Sequence, residues 1–325
     1  MPSYPNGKEK NNTTRCKPTT QKNVGTLHRW LGRYSPFIIY HASFIIFPVL
    51  LAAQSLPERC TPLPDAIREV SGMVCTPEGN LWMLNDSRNP PELFLFDPVS
   101  GKLLETRTLP VPNRDWEDLT LAPDGHLYIG DFGNNRNARR DLCIFRYHPK
   151  TGALDSIQFH YPDQQAFPPA DDRDWNFNCE AMVFFQDSLH LFSKVVFKGN
   201  FVTKHYVLPA KPGKYVAELR DSLLLENRVV TGAALSPDGK TLALTSYFMG
   251  KTLGFIPYTR ATAYFFTDFQ GSRFLQGKRS EMRLPKCIFA RQYESITWWD
   301  AAHWLVANEG RPSQQQAVWR VKMVH

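Results

Sequence analysis

Glu117-Asp-Leu-Thr-Leu-Ala-Pro-Asp-Gly-His-Leu-Tyr-Ile-Gly-Asp131 reads as a short apolar strand, a Pro-Asp-Gly turn and a second apolar strand. The turn glycine supplies the positive φ that a tight hairpin needs. The same reading fits Ser71–Asp86 with its turn Pro77-Glu-Gly79, Thr231–Thr245 with Pro237-Asp-Gly239, Glu180–Lys194 and Glu294–Glu309. The five starts lie 46, 63, 51 and 63 residues apart. Strand-like stretches follow each hairpin, at 93–96, 142–147, 203–208, 262–267 and 317–323. Four antiparallel strands recurring about every 50 residues mark the blades of a β-propeller. No window carries a capped helical period. A β-sandwich of Asp-Gly hairpins would explain the strands, but not the repeated offset between strand start, turn and second strand. Five repeats predict an all-β propeller of five four-stranded blades. Six stays open, because two intervals are long enough to hold a further strand pair. The last repeat has three clear strands, and the segment 56–67 is expected to supply the fourth and close the ring.

Residues 1–53 differ from the rest. A long basic stretch ending in Arg29 and Arg33 is followed by the apolar run 37–51 and small residues at 52–53. That is the order of a secretory signal. An uncleaved N-terminal anchor is the alternative, although Pro48 and His41 interrupt a run shorter than the roughly 20 residues of a comfortable span. The expected organisation is therefore 1–53 leader or anchor and 54–325 propeller. The expected location is periplasmic, secreted or on the outer cell surface, with membrane contact only through an uncleaved leader. The leader holds 7 basic and 1 acidic residue of the chain's 38 and 31, which leaves 31 basic and 30 acidic residues in the propeller. The sequence pI near 9.0 thus belongs to the leader and gives no reason to expect nucleic-acid binding. Five cysteines follow the leader without metal-site spacing. Cys60 with Cys287 is a possible pair.

In a propeller the innermost strand of each blade runs along the channel, and the loop after the second strand returns to the end where the first began. Ser71, Glu117, Glu180, Thr231 and Glu294 should therefore meet at one mouth. Loops bearing Asn85, Asp86, Asp131, Asn134, Asn135, Asn308 and Glu309 should join them, beside the less polar Lys194 and Thr245 regions. Arg114-Asp-Trp116 and Arg173-Asp-Trp175 precede two of the starts by similar steps. Three glutamates in one narrow space repel, so either some hold a proton or a cation compensates them. Carboxylate and amide oxygens suit Ca²⁺ or Mg²⁺, with Glu117, Glu180 and Glu294 as its ligands. The competing reading makes these glutamates blade caps, bonded to strand-end amides or to Arg114 and Arg173. Arg136, Arg139 and Arg140 either bind an anion beside the metal or form local Arg–Asp pairs on a solvated loop. The chain has no GxSxG, HExxH or P-loop, and no organic cofactor is expected.

"REVSGM", "LNDSRNPPELFLFD", "RDWEDL", "LYIGDFGNNRNARRDL", "NCEAM", "LPAKPGKYVAEL" and "VTGAALSPDGKTLAL" resemble a family of secreted bacterial β-propeller proteins, most of them uncharacterised. The regucalcin/gluconolactonase-like, strictosidine-synthase-like and esterase-like phytase propellers are more distantly similar. The gluconolactonase resemblance implies a divalent cation held by a channel-mouth glutamate with Asn and Asp from other blades, and places Glu117, Glu180 and Glu294 where such ligands begin. Ser71 stands where that group has its metal-binding glutamate. Two functions follow as expectations. One is a non-catalytic propeller binding a small molecule or a protein at its polar mouth. The other is a metal-dependent lactonase or phosphoesterase with Asp86 or Asp131 as base.

Overall fold

A computed structural model describes residues 58–195, 201–225, 227–252, 256–284, 292–312 and 314–323. The leader, Cys287 and with it the proposed Cys60–Cys287 pair lie outside these residues. Among the described residues five antiparallel four-stranded blades are formed, and the sheet of blade 2 takes on a fifth strand. Blade 1 holds β2 (Val70–Cys75), β3 (Leu81–Asn85), β4 (Glu92–Asp97) and β5 (Lys102–Thr108). Blade 2 holds β6 (Trp116–Leu121), β7 (Leu127–Asp131), β8 (Cys143–Tyr147) and β9 (Leu154–His160). Blade 3 holds β10 (Asn178–Phe185), β11 (Ser188–Lys194), β12 (Val202–Pro209) and β14 (Glu218–Leu224). The short β13 (Gly213–Val216), between β12 and β14, leaves blade 3 and pairs in parallel with β9. Blade 4 holds β15 (Val229–Leu235), β16 (Leu242–Thr252), β17 (Ile256–Thr267) and β18 (Lys278–Arg283). Blade 5 holds β19 (Tyr293–Trp298), β20 (His303–Asn308) and β21 (Ala317–Lys322), completed at its outer edge by β1 (Arg59–Pro62). The ring closes through the segment expected to close it.

Among the described residues the two long intervals hold no sixth blade. One is taken up by the loop 161–177 before β10, and the other by the extended hairpin of β16 and β17, 11 and 12 residues long. The turn glycines Gly79, Gly125 and Gly239 have φ of 85°, 89° and 69°. Blade 3 has no glycine there and turns through Gln186 and Asp187, both at positive φ.

The core consists of five apolar clusters, one at each interface between neighbouring blades. Leu119, Ile129 and Phe145 of blade 2 pack with Trp82 and Leu84 of blade 1. Trp298 and Trp304 of blade 5 pack with Phe265 of blade 4. Each blade is thus buried on both faces, as the unbroken apolar runs in the inner strands require. The inner strands approach closely. A Cβ on Gly72 would come within 2.8 Å of the Leu119 amide nitrogen in the next blade.

All five inner strands carry a register shift near their start, and the residue left over is Ser71, Glu117, Glu180, Thr231 or Glu294. A bulge leaves one residue unpaired and re-aims its side chain. The repeat seen in the sequence therefore has a backbone cause, with one bulge at the same place in every blade.

Candidate functional site at the channel mouth

Two of the bulge residues bond across to the neighbouring blade. The Ser71 hydroxyl donates to the Glu117 carbonyl at 2.6 Å and lies 3.4 Å from Glu117 Oε2. Thr231 Oγ1 donates to the Tyr293 carbonyl of the next blade at 2.8 Å. Glu117, Glu180 and Glu294 keep only 4, 5 and 6% of their surface exposed, so each carboxyl is largely desolvated.

The glutamates do not act alike. Lys194, at the end of β11, donates its ammonium to Glu180 Oε2 and also faces Glu294, Glu117 and Tyr247. Glu180 Oε1 accepts from Asn178 Nδ2 at 3.0 Å. Glu294 Oε1 accepts from Gln292 Nε2 at 2.8 Å. Glu117 instead joins Asp86 and Asp115, and one ligand oxygen from each of the three lies within 4.8 Å of the others. Among the described residues this is the group with metal-ligand spacing. Of the three glutamates expected to share an ion, only Glu117 falls in this group. Glu180 is turned to the Lys194 ammonium and Glu294 to Gln292.

Gly133 makes that group possible. Its amide donates to the Asp115 carbonyl at 3.0 Å, and a Cβ there would overlap Glu117 Oε1 and the Asp115 carboxyl. Asp115 is held through its own amide, which donates to Asp131 Oδ1 at 2.9 Å. Asp86 accepts from the Ser87 amide. Its neighbour Asn85, 5% exposed, has a buried Oδ1 with no hydrogen-bond partner, while Nδ2 donates to the Ala66 carbonyl.

Burial raises every carboxyl in this space. Asp115 is pushed up to about 6 by burial first and then by Asp86. Glu117 stands well above the usual carboxylate range through burial, then Glu180, Asp86 and Asp115. Glu180 reaches about 8, burial outweighing the opposing pull of Lys194. Glu309 also reaches about 8, from burial and the fields of Glu294 and Asp86. Asp86 and Glu294 are raised by burial as well. Six carboxyls thus face one another's fields, opposed by Lys194 and Arg311 and, at Asp115, by Arg139. Ionising the whole set is unfavourable without further positive charge.

The remaining expected ligands mostly hold the loops in place. Asp131 is fully buried, and its carboxylate pairs with Arg139 at 3.2 Å and Arg114 at 3.6 Å. It orients Asp115 by accepting that residue's amide. Arg139 also donates to the carbonyl of Gly133 and to Asp141, so it staples the loop from within. Asn134 accepts the amides of Ala138 and Arg139 and donates to the Phe177 carbonyl. Asn308 donates to the carbonyls of Glu309 and Gln315 and accepts from Trp319 Nε1. Arg140 stacks over Phe167 at 3.9 Å. Asn135 and Arg136 are exposed on the same loop, with Asn135 Oδ1 accepting from Asn178. The proposed cap partners also lie elsewhere. Arg114 serves Asp131 and Asp141, and Arg173 pairs with Asp171 on the surface.

Asp115, Gly133 and the central position of Lys194 were not singled out from the sequence. The signal for Asp115 was the repeated Arg-Asp-Trp triplet, but its second copy is no guide. Trp116 is fully buried, whereas Arg173 and Asp174 are exposed.

No family model matches the chain, and no curated protein matches it. Among solved structures, a streptogramin B lyase is 11% identical over 82% of this chain and 87% of its own, with a TM-score of 0.43. A protein described as a putative gluconolactonase is 13% identical over 79% and 77%, at 0.41. Hydrazine synthase of Kuenenia stuttgartiensis is 13% identical over 76% of this chain, at 0.38, and this chain spans 57% of its length. Such identities and scores carry no argument about function.

Proposed function

We propose that this protein is an exported β-propeller whose channel mouth binds a ligand through a divalent cation, with Asp86, Asp115 and Glu117 as the cation's protein ligands. The observation that carries the reading is the convergence of three carboxylates from two blades to within 4.8 Å, in a space whose carboxyls are all raised by burial and mutual repulsion. Two oxygens on one Ca²⁺ stand up to about 5 Å apart, twice the Ca–O distance. The donor set is oxygen alone, which suits a hard cation such as Ca²⁺ or Mg²⁺. The unpartnered Asn85 Oδ1 beside Asp86 is an oxygen of the same kind. When bound, the cation neutralises the cluster and offers open coordination positions to an anionic or polar ligand. Around it Lys194 holds Glu180, Asp131 holds Asp115, and Gly133 keeps the backbone out of the way. Export is proposed from the basic-then-apolar order of residues 1–53.

Metal analysis of protein purified without chelator, after gel filtration, tests the reading. About one divalent ion per chain is expected, and an apoprotein that takes up none in millimolar Ca²⁺ or Mg²⁺ contradicts it. The hydrolase alternative draws on Asp115, whose pKa near 6 suits proton transfer near neutrality. Chelator-sensitive turnover of a lactone or phosphoester panel, lost in Asp115→Asn, would establish it. N-terminal sequencing of exported protein should find a start between about residues 53 and 57.

A further inference from the structure

Blade 3 holds a buried polar network that the mouth does not use. His190 of β11, His205 of β12 and Asp221 of β14 link the three outer strands of the blade. His190 Nδ1 and His205 Nε2 lie 2.9 Å apart, and His205 Nδ1 lies 2.7 Å from Asp221 Oδ1. The two rings are 1 and 0% exposed and the Asp221 side chain 2%. The His205 ring stacks on Phe192, and Phe274, from the segment between β17 and β18, packs against both rings. Asp221 Oδ2 is buried without a hydrogen-bond partner. Most of β14 is exposed or half-exposed, with Leu219 and Leu224 open to solvent. Asp221 therefore ties an otherwise loose strand inward.

The bonds of this network count its protons. Burial first, and then His205, push the His190 imidazole down to about 3, so the ring carries a single proton near neutrality. The Phe185 carbonyl bonds the same ring and favours a proton on it. Nδ1 faces His205, which leaves Nε2 as the nitrogen that donates to that carbonyl. Nδ1 then accepts, and His205 Nε2 must donate to it. His205 meets Asp221 either as an imidazolium facing a carboxylate or as a neutral ring accepting from a carboxylic acid. Both arrangements carry one proton more than two neutral rings and an ionised carboxylate, and both leave the network without net charge. When that proton leaves, one of the three bonds is lost and a carboxylate charge stays buried, and each of these is unfavourable. The neighbouring charged groups are turned elsewhere. Arg220 of β14, whose field opposes a charge on His190, pairs with Glu218 and donates to Ser272. Lys204 and Tyr206 of β12 are bonded to Asp163. From β10 and blade 4, Phe185 and Phe274 face the rings.

We propose that Asp221, His205 and His190 form a proton-held latch on the outer strand of blade 3. The latch is closed while the network keeps its extra proton and loosens as that proton leaves at rising pH. Its contribution to stability is thus present at acid pH and lost as pH rises. Because Phe274 and Ser272 rest on the same groups, the segment between β17 and β18 loosens with β14. The latch needs no metal and is independent of the mouth.

Backbone hydrogen exchange of the full chain in chelator, expressed as protection over the intrinsic rate, tests it from about pH 6 to about pH 10. Protection in β14 should fall by up to about tenfold per pH unit above the midpoint of the latch, the slope of one linked proton. Protection in β5, the outer strand of blade 1, should follow the global change alone. Nitrogen-15 NMR of histidine-labelled protein should show His190 protonated at Nε2 only, and His205 protonated at Nε2, below that midpoint. In Asp221→Asn the amide donates to His205 Nδ1, so all three bonds form with neutral rings and no proton is left to lose. Protection in β14 of that variant should not vary with pH. If the variant does not fold, the two wild-type measurements decide alone. His190 protonated at Nδ1 near pH 6 overturns the proposal. So does a β14 protection that is flat in the wild type, that falls only in step with β5, or that falls equally in a folded Asp221→Asn.

Discussion

At the strand-start end of the channel, five bulges turn Ser71, Glu117, Glu180, Thr231 and Glu294 inward. At the hairpin end, four residues along the same strands, Cys75, Leu121, Phe184, Leu235 and Trp298 ring a cavity and carry no carboxyl into it. The strands are shared, but the inward residues of the first end are polar and those of the second mostly apolar. At the first end, loops returning from the second strands bring Asp86, Lys194 and Glu309 into range. At the second, only tight turns are present, and they hold their charged residues at the rim. A propeller can thus set the character of each channel end separately, through the bulges at one and the turns at the other.

The strongest way to break the contrast is to remove the ammonium from the charged end. Lys194→Met leaves Glu180 buried beside Glu117 and Glu294 without its counter-ion. Glu180, already up near 8 beside Lys194, keeps its proton once the ammonium is gone, so the loss should be about 1–3 kcal/mol, that of a buried hydrogen bond left unmade. A thermal melt at pH 8 without metal should show that loss, and a melt at pH 5, where the carboxyls are protonated, should show much less of it.

Gly133→Ala comes next. The new Cβ meets Glu117 and Asp115, so the cost should be about 1–3 kcal/mol, as for other overpacked sites. The cation response should vanish with it. A comparable substitution at an exposed turn, Gly152→Ala, meets nothing within 4 Å but sits at a φ of 74°. It should cost less, through backbone strain alone, and leave the cation response intact.

The pH dependence sharpens the comparison. Asp115 and Glu180 have folded pKa values above their usual ones, about 6 and about 8. Raised carboxyls contribute stability that is present at acid pH and lost as pH rises through the folded value. A bound cation reverses that loss by favouring the ionised forms. The increase in melting temperature produced by millimolar Ca²⁺ should therefore be small at pH 5 and grow towards pH 8. His190, buried and pushed down to about 3 by burial and His205, acts on the melts with and without the ion alike and cancels in the difference. The smallest effect is expected from Arg136→Ala at the exposed loop tip, within about 0.5 kcal/mol and without change in the cation response.

The blade repeat was open to reading because hairpin chemistry and apolar strands recur in the chain at fixed offsets, and the outward-reaching segment 56–67 had a gap to fill in the fifth blade. The convergence of the strand starts followed from topology alone. The partners of each glutamate did not. Lys194 ends a strand in a stretch that reads as apolar, and only the return of β11 beside Glu180 turns it into the counter-ion. Asp115 lies before its strand, and its place beside Glu117 depends on Gly133 and on the anchor at Asp131, two contacts made by a loop. Asn134, Arg139 and Asn308 looked like ligands because polar residues in mouth loops are rich in donors. Their bonds are instead spent on neighbouring carbonyls and amides, as a buried loop requires.

The central claim rests on which carboxylates hold the ion, and a melt series over Ca²⁺ concentration at pH 8 tests it most directly. In the wild type, Ca²⁺ at about a hundred times its Kd stabilises by about 2.7 kcal/mol, a rise of about 5 °C or more for a domain of this size. Asp115→Asn should lose most of that rise. Glu180→Gln should keep most of it while lowering the melting temperature at every concentration. A wild type indifferent to Ca²⁺ and Mg²⁺, or a response lost in Glu180→Gln and kept in Asp115→Asn, would contradict the assignment of the ion to Asp86, Asp115 and Glu117.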